Sequence, residues 1–228
     1  MGDNIMFGEN MLKIIYEDND KIIVDKKAGQ LSQSGKSMDL DLVSEILNYR
    51  KRKKEEPYAA IINRLDRPVA GLVLIAKNKE AAARYSWQVQ AEGGISKVYE
   101  AYVYGRFNEN SGRLKDYLVH DKVNNLSYVA DESEENAKEA VLDYEVMNYD
   151  EDNNVSQVRI YLITGRHHQI RTQLSNRGHV ILGDYKYMVA SGIESSQMDV
   201  LVRKYRIRRN TIALAAVELK IDGKKFVR

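Results

Sequence analysis

The 228-residue chain contains no cysteine, which excludes disulfides and thiolate metal sites and fits a reducing cytoplasm. No stretch approaches ~18 consecutive apolar residues. The opening M-G-D-N-I-M-F-G-E-N lacks a basic region followed by an apolar run, so neither a membrane span nor export is expected. No repeat, low-complexity tract or Pro/Gly/Ser-rich linker divides the sequence. Of its 4 histidines, none stands in H-E-x-x-H spacing, so no zinc site is expected. Net charge is only +2, too small for bulk electrostatics to announce a nucleic-acid partner. What remains, 43% hydrophobic and 30% charged residues, is the composition of an ordinary globular protein. The expectation is a single domain over residues 1–228, with two lobes around a cleft.

The charge is unevenly placed. Arg50 to Lys54 is a continuous basic run, and Arg203, Lys204, Arg206, Arg208 and Arg209 form a second. Acid collects at Asp131–Glu135 and Asp150–Asp152. Local cations on a near-neutral chain can track a phosphate backbone. Equally, the first run reads as a solvated helix end and the second as a charged strand or loop.

Leu12–Tyr16 and Ile22–Val24, joined by E-D-N-D, predict an opening hairpin. Asp39–Lys54 is expected to be helical, with Leu42, Val43, Ile46 and Leu47 as its apolar stripe and basic residues toward its C-terminus. Leu72–Ala76, entered through Gly71, reads as a strand buried on both faces. Asn78 caps a helix that runs to Ala91 and stops at Gly93-Gly94. From Ile95 the period changes to two: Val98, Glu100, Tyr102 and Tyr104 face one way, Tyr99, Ala101 and Val103 the other. Further strands at 113–119, 126–130, 139–148 and 155–163 predict an antiparallel meander with an exposed acidic tip at D-E-S-E-E-N. A helix beginning near Arg166 or His167 ends at Gly178 with Ile170 and Leu174 inward, and a last strand covers 211–221. The fold class is α+β.

Asn63 to Lys77, N-R-L-D-R-P-V-A-G-L-V-L-I-A-K, sets Asp66 between Arg64 and Arg67 immediately before the buried strand. Pro68 fixes its own φ and restricts Arg67, so the loop is stiff. Flanking cations favour an ionised carboxylate, suited to act as a nucleophile, a general base or an ion-pair partner. The tetrapeptide alone is also what a surface salt bridge looks like. Two further stretches add to it: T-G-R-H-H-Q-I-R-T-Q-L-S-N-R-G-H-V-I-L-G-D-Y-K-Y from Thr164 to Tyr187, and K-V-Y-E-A-Y-V-Y-G from Lys97 to Gly105.

Together the R-L-D loop with G-L-V-L-I-A-K, the K-V-Y strand, and G-R-H-H-Q-I-R with its downstream G-D resemble the RluA-like family of pseudouridine synthases, in the family's order and from about Tyr16 to Leu219. The resemblance implies a mixed, largely antiparallel sheet with flanking helices around a central cleft, and a cofactor-free isomerase. It implies that Arg171 pairs with Asp66 and that Tyr99 lies against the target base with its hydroxyl available for proton transfer. Arg64 is the candidate wedge into the vacated base position, Arg67, Arg166, Arg206 and Arg208 are candidate substrate contacts, and His168 either hydrogen-bonds locally or meets RNA. The expected partner is ribosomal or transfer RNA, bound by a cytoplasmic monomer. The family's S4-like module is not expected, because the hairpin begins by Leu12.

Two departures stand out: Asn63 occupies a position where the family usually has His, and Ala70 one where it commonly has a hydroxyl. They are the sequence support for an alternative, an inactive RNA-binding or RNA-folding protein on the same scaffold. A metal-dependent nuclease would need clustered carboxylates, and Asp66 has no acidic neighbour in sequence.

Overall fold

The computed structural model describes residues 12–33, 41–91 and 93–228. The opening decapeptide and the expected helix start at Asp39 lie outside the described residues. Strands β1 (Lys13–Glu17) and β2 (Lys21–Lys26) form the opening hairpin. Helix α1 (Leu42–Arg52) starts at Asp41, whose carboxylate accepts from the Ser44 amide at 2.7 Å, and it buries Leu42 and Ile46. The two-residue strand β3 (Ala60–Ile61) leads to β4 (Ala70–Ala76). Asn78 caps α2 (Lys79–Gln90) by accepting from Ala81 at 2.8 Å.

β5 (Ser96–Tyr104), β6 (Ser111–Asp121), β7 (Leu126–Ala130), β8 (Lys138–Asp150) and β9 (Val155–Leu162) follow. Next come α3 (Gln169–Ser175), a 3-10 segment at Tyr185–Ser191 and α4 (Ser195–Lys204), then β10 (Leu214–Ile221) and β11 (Lys224–Val227).

The eleven strands join one sheet in the order β1-β2-β4-β10-β5-β9-β8-β6-β7, with β3 on β4 and β11 on β10. Only β4 and β10 run parallel, through Ala70↔Ala215 and Gly71↔Ala216, among the described pairs. The architecture is therefore α+β with a mixed, largely antiparallel sheet. Strand β4 lies between β2 and β10, and Leu72, Val73, Leu74 and Ile75 are all at 0% exposure. Burying each of these side chains stabilises by about 1.5–3 kcal/mol, so the chain entering β4 is anchored at the centre of the fold.

The expected meander is not what the strands form. β5 pairs with β9 rather than with β6, and β6 lies between β7 and β8. Alternation marks strands and their faces but does not choose neighbours. The 3-10 segment, α4 and β11 were absent from the sequence reading. α4 is held by Met198 and Leu201 beneath a polar exterior, and β11 is four residues long, below the length at which a pattern shows. Residues 203–209, expected as strand or loop, are the end of α4 and the turn after it. The first basic run is not a solvated helix end throughout. Arg50 is buried, pairs with Glu55 and donates to the carbonyls of Tyr58 and Lys77.

Candidate active site

Asp66 sits where the loop before β4 turns, its carbonyl accepting from the Val69 amide at 3.0 Å. Side chains along the loop alternate: Asn63, Leu65 and Val69 point inward while Arg64 and Arg67 are exposed. Each inward residue ties the loop down. The Asn63 side chain donates to the Leu72 carbonyl at 3.1 Å and accepts from the Leu74 amide at 2.7 Å. The departure from His thus supplies a pin on the β4 edge. Ser32 bonds the carbonyl and the amide of Leu65, at 2.7 and 3.3 Å. Lys26, at 0% exposure, donates to the carbonyls of Lys27, Gln30 and Arg67. Burial pushes its ammonium down to about 8, against the pull of the Asp66 and Asp25 charges.

Neither flanking guanidinium is Asp66's described partner. Arg67 donates to the Gly29 carbonyl at 3.1 Å and so clamps the loop. Arg64 is exposed on the cavity wall. The partners come from α3 and its cap: Nη1 of Arg171 at 3.2 Å and Nε2 of His168 at 3.4 Å from the same Asp66 oxygen. Arg171 is itself held by Asp184, Nε to Oδ2 at 2.6 Å and Nη2 to Oδ1 at 2.8 Å, and its guanidinium lies 4.9 Å from the centre of the Tyr187 ring. Burial works against the Arg171 charge, yet Asp184 and then Asp66 more than offset it, and its pKa is raised.

α3 begins only at Gln169, so Arg166 and His167 precede the helix instead of opening it. His168 is its N-cap with φ +52°, a left-handed conformation uncommon for a residue other than glycine. That backbone turn aims the imidazole at Asp66. Burial first, then the Arg171 charge, pushes His168 down to about 2, so the ring is neutral. Nδ1 of His168 is hydrogen-bonded to the Tyr187 hydroxyl at 2.8 Å, whose oxygen accepts from the Ser127 amide, also at 2.8 Å.

Asp66 retains 32% side-chain exposure and lines a cavity of about 890 Å³ with Arg64, Lys97, Tyr99, Arg166 and His168. Tyr99, on β5, is buried in the core beside it, and nothing among the described residues bonds to its hydroxyl. Burial, followed by the Asp66 charge, raises its pKa, so it stays a neutral phenol able to donate. The cavity thus presents a carboxylate locked in one rotamer, a phenol and several cations. Among the described residues there is no cluster of His, Cys, Asp or Glu fit to hold a metal ion.

Arg206 and Arg208 do not line this cavity; they lie on the turn after α4. Asp184 and Tyr187 were given no role from sequence, although the G-D-Y-K-Y that contains them had been singled out. Gly183 explains that motif. It has φ +85°, and a Cβ there would meet the Thr211 carbonyl at 2.7 Å, so the chain bearing Asp184 can pack directly on the lead-in to β10.

A family model described as RNA pseudouridylate synthase matches residues 20–176, which include Asp66, Tyr99 and Arg171. The chain belongs to that family. It is 32% identical over 176 residues to ribosomal large subunit pseudouridine synthase C of Rickettsia conorii, covering 76% of this chain and 55% of that protein. It is 30% identical over 217 residues to ribosomal large subunit pseudouridine synthase D of Blochmanniella floridana, covering 92% and 64%. The matched part spans between half and two thirds of these curated relatives. Two solved structures share the fold: human RNA pseudouridylate synthase domain containing 4, with TM-score 0.76 and 20% identity over 95% of this chain and 87% of that one, and human RNA pseudouridylate synthase domain containing 1, with TM-score 0.70 and 24% identity over 97% and 85%. No helix among the described residues is long and apolar enough to cross a membrane.

Proposed function

We propose that the chain isomerises a specific uridine in structured RNA to pseudouridine, with Asp66 as the catalytic carboxylate. The observation that carries this reading is a half-exposed Asp66 held by Arg171 on the wall of a cavity that also contains the Tyr99 phenol. In the reaction the N1–C1′ bond of uridine breaks, the base turns, C5 bonds to C1′, and the C5 proton leaves as N1 regains one. All of this requires a charged group fixed beside the glycosidic carbon and a group able to exchange protons with the base. Asp66, Arg171 and Tyr99 supply those functions without a cofactor.

Arg64 and Arg166, exposed on the cavity wall, would contact the RNA around the extruded base, with Arg64 entering the vacancy. Arg67 would act mainly by holding the loop. His168 would bind substrate only at its cavity edge, since both ring nitrogens face protein groups. Arg206 and Arg208 would serve as outer phosphate contacts. The relatives' names favour ribosomal over transfer RNA as the target. We take the protein to work as a monomeric, single catalytic domain in the cytoplasm. Pseudouridine mapping of total RNA from cells with and without the protein tests the reading: one site lost supports it, and an unchanged map would sink it.

A further inference from the structure

The Asp66 cavity continues into a second one of about 530 Å³, and the two share His120, Gly165, Arg166 and His167 as lining. The second cavity carries three exposed cations, Lys122, Lys138 and Arg166. Other cations on strand β6 and just after α3 are neutralised: Lys115 by Glu139 at 2.6 Å, Arg113 by Asp143 at 2.6 Å and Arg177 by Asp116 at 2.9 Å. Among the described residues, none of the three around the second cavity has a carboxylate within ion-pair distance, and no acidic side chain lines it. Arg166 is oriented by its Nε, which donates to the Glu139 carbonyl at 2.7 Å and leaves the remaining guanidinium nitrogens for an incoming anion.

Three imidazoles connect the cavities. His120 stacks on His167 at 3.7 Å and 22°, and His167 stacks on His168 at 3.8 Å and 27°. His168 ends 3.4 Å from Asp66. Ser127 fixes the middle ring, its hydroxyl 2.9 Å from Nδ1 of His167. His120 is exposed, so with one face on His167 its other face is a flat aromatic surface at the mouth of a basic cavity. Unpaired cations with an aromatic platform are the combination that holds single-stranded nucleic acid.

Resting on the RNA reading above, we propose that the second cavity seats the nucleotide adjacent to the target uridine on the same strand. Its phosphate is drawn by Lys122, Lys138 and Arg166, and its base stacks on His120. The shared wall makes one continuous path for a strand whose target base enters the Asp66 cavity. Strand β7 and its flanking turns then act in substrate selection as well as in the sheet.

The test is binding of a fluorescein-labelled, uridine-containing single-stranded RNA, followed by anisotropy over a KCl series. Lys122→Ala with Lys138→Ala should lower the slope of log affinity against log salt by about 0.7, the value for the one phosphate they share on a single strand. Lys51→Ala with Lys54→Ala, an equal loss of charge at exposed positions on and just after α1, should leave the slope near wild type. His120→Ala should weaken binding about tenfold, and His120→Phe, which keeps a ring, should restore it. A slope unchanged in the Lys122/Lys138 variant, or lowered equally by the Lys51/Lys54 pair, overturns the proposal while leaving the RNA reading intact. Full affinity in His120→Ala overturns the stacking role. A wild type with no salt-dependent RNA binding overturns both the proposal and the reading beneath it.

Discussion

Arg171 gives two of its guanidinium nitrogens to Asp184, at 2.6 and 2.8 Å, and keeps Nη1 for Asp66 at 3.2 Å. The bidentate pair fixes the plane of the guanidinium, and that plane fixes where the Asp66 carboxylate can sit. Asp184 therefore acts as a positioning residue, remote from substrate at 2% exposure.

Asp184→Asn should cost stability and turnover together. It leaves a guanidinium with 6% exposure short of its main counter-charge, which is worth about 3 kcal/mol. Urea unfolding should show that loss, and the folded fraction should form pseudouridine more than tenfold more slowly. Wild-type stability with wild-type turnover would remove Asp184 from the site's support.

Acid should weaken the fold through His168. Its pKa lies at about 2 when folded against an ordinary 6.5, so the unfolded chain binds the extra proton between those values. The contribution is complete above about pH 6.5 and is lost progressively as pH falls toward 2. Unfolding free energy measured from pH 7 to pH 4 should decline in the wild type, and His168→Gln, which has no proton to take up, should flatten part of that decline. Parallel curves would show that His168 is not the group responsible.

Gly71→Ala should prevent stable folding. Gly71 has φ +120°, and a Cβ there would lie 2.2 Å from the Ala216 carbonyl oxygen, at the one parallel register between β4 and β10. Both backbones are buried strands with no room to yield, so a loss of more than ~3 kcal/mol is expected. Thermal unfolding monitored by circular dichroism checks it, and a melting temperature within a few degrees of wild type would contradict the close approach.

Patterns local in sequence were legible before the structure. The β4 run, the Asn78 cap, the alternation of β5 and the inward Ile170 and Leu174 all follow from periods and caps. The Asp66–Arg171 pair was legible through motif resemblance, because no spacing rule links residues 105 positions apart. What sequence could not supply was pairing: β5 beside β9, Arg50 buried as a clamp, and His168 joining Arg171 at the Asp66 carboxylate. Asp184 and Tyr187 were hidden for the same reason, since their partners come from another turn of the chain. The His120–His167–His168 stack joins residues from β6 and the lead-in to α3, a contact made only when the sheet closes.

The central claim is that Asp66 carries the chemistry, and Asp66→Asn tests it with least disturbance, since the amide keeps the shape and loses the charge. Release of tritium from RNA labelled at uridine C5 follows formation of the new carbon bond directly. The account predicts normal folding, near-normal RNA affinity and no detectable tritium release from the variant, on a substrate that the wild type converts. Release at the wild-type rate would contradict it.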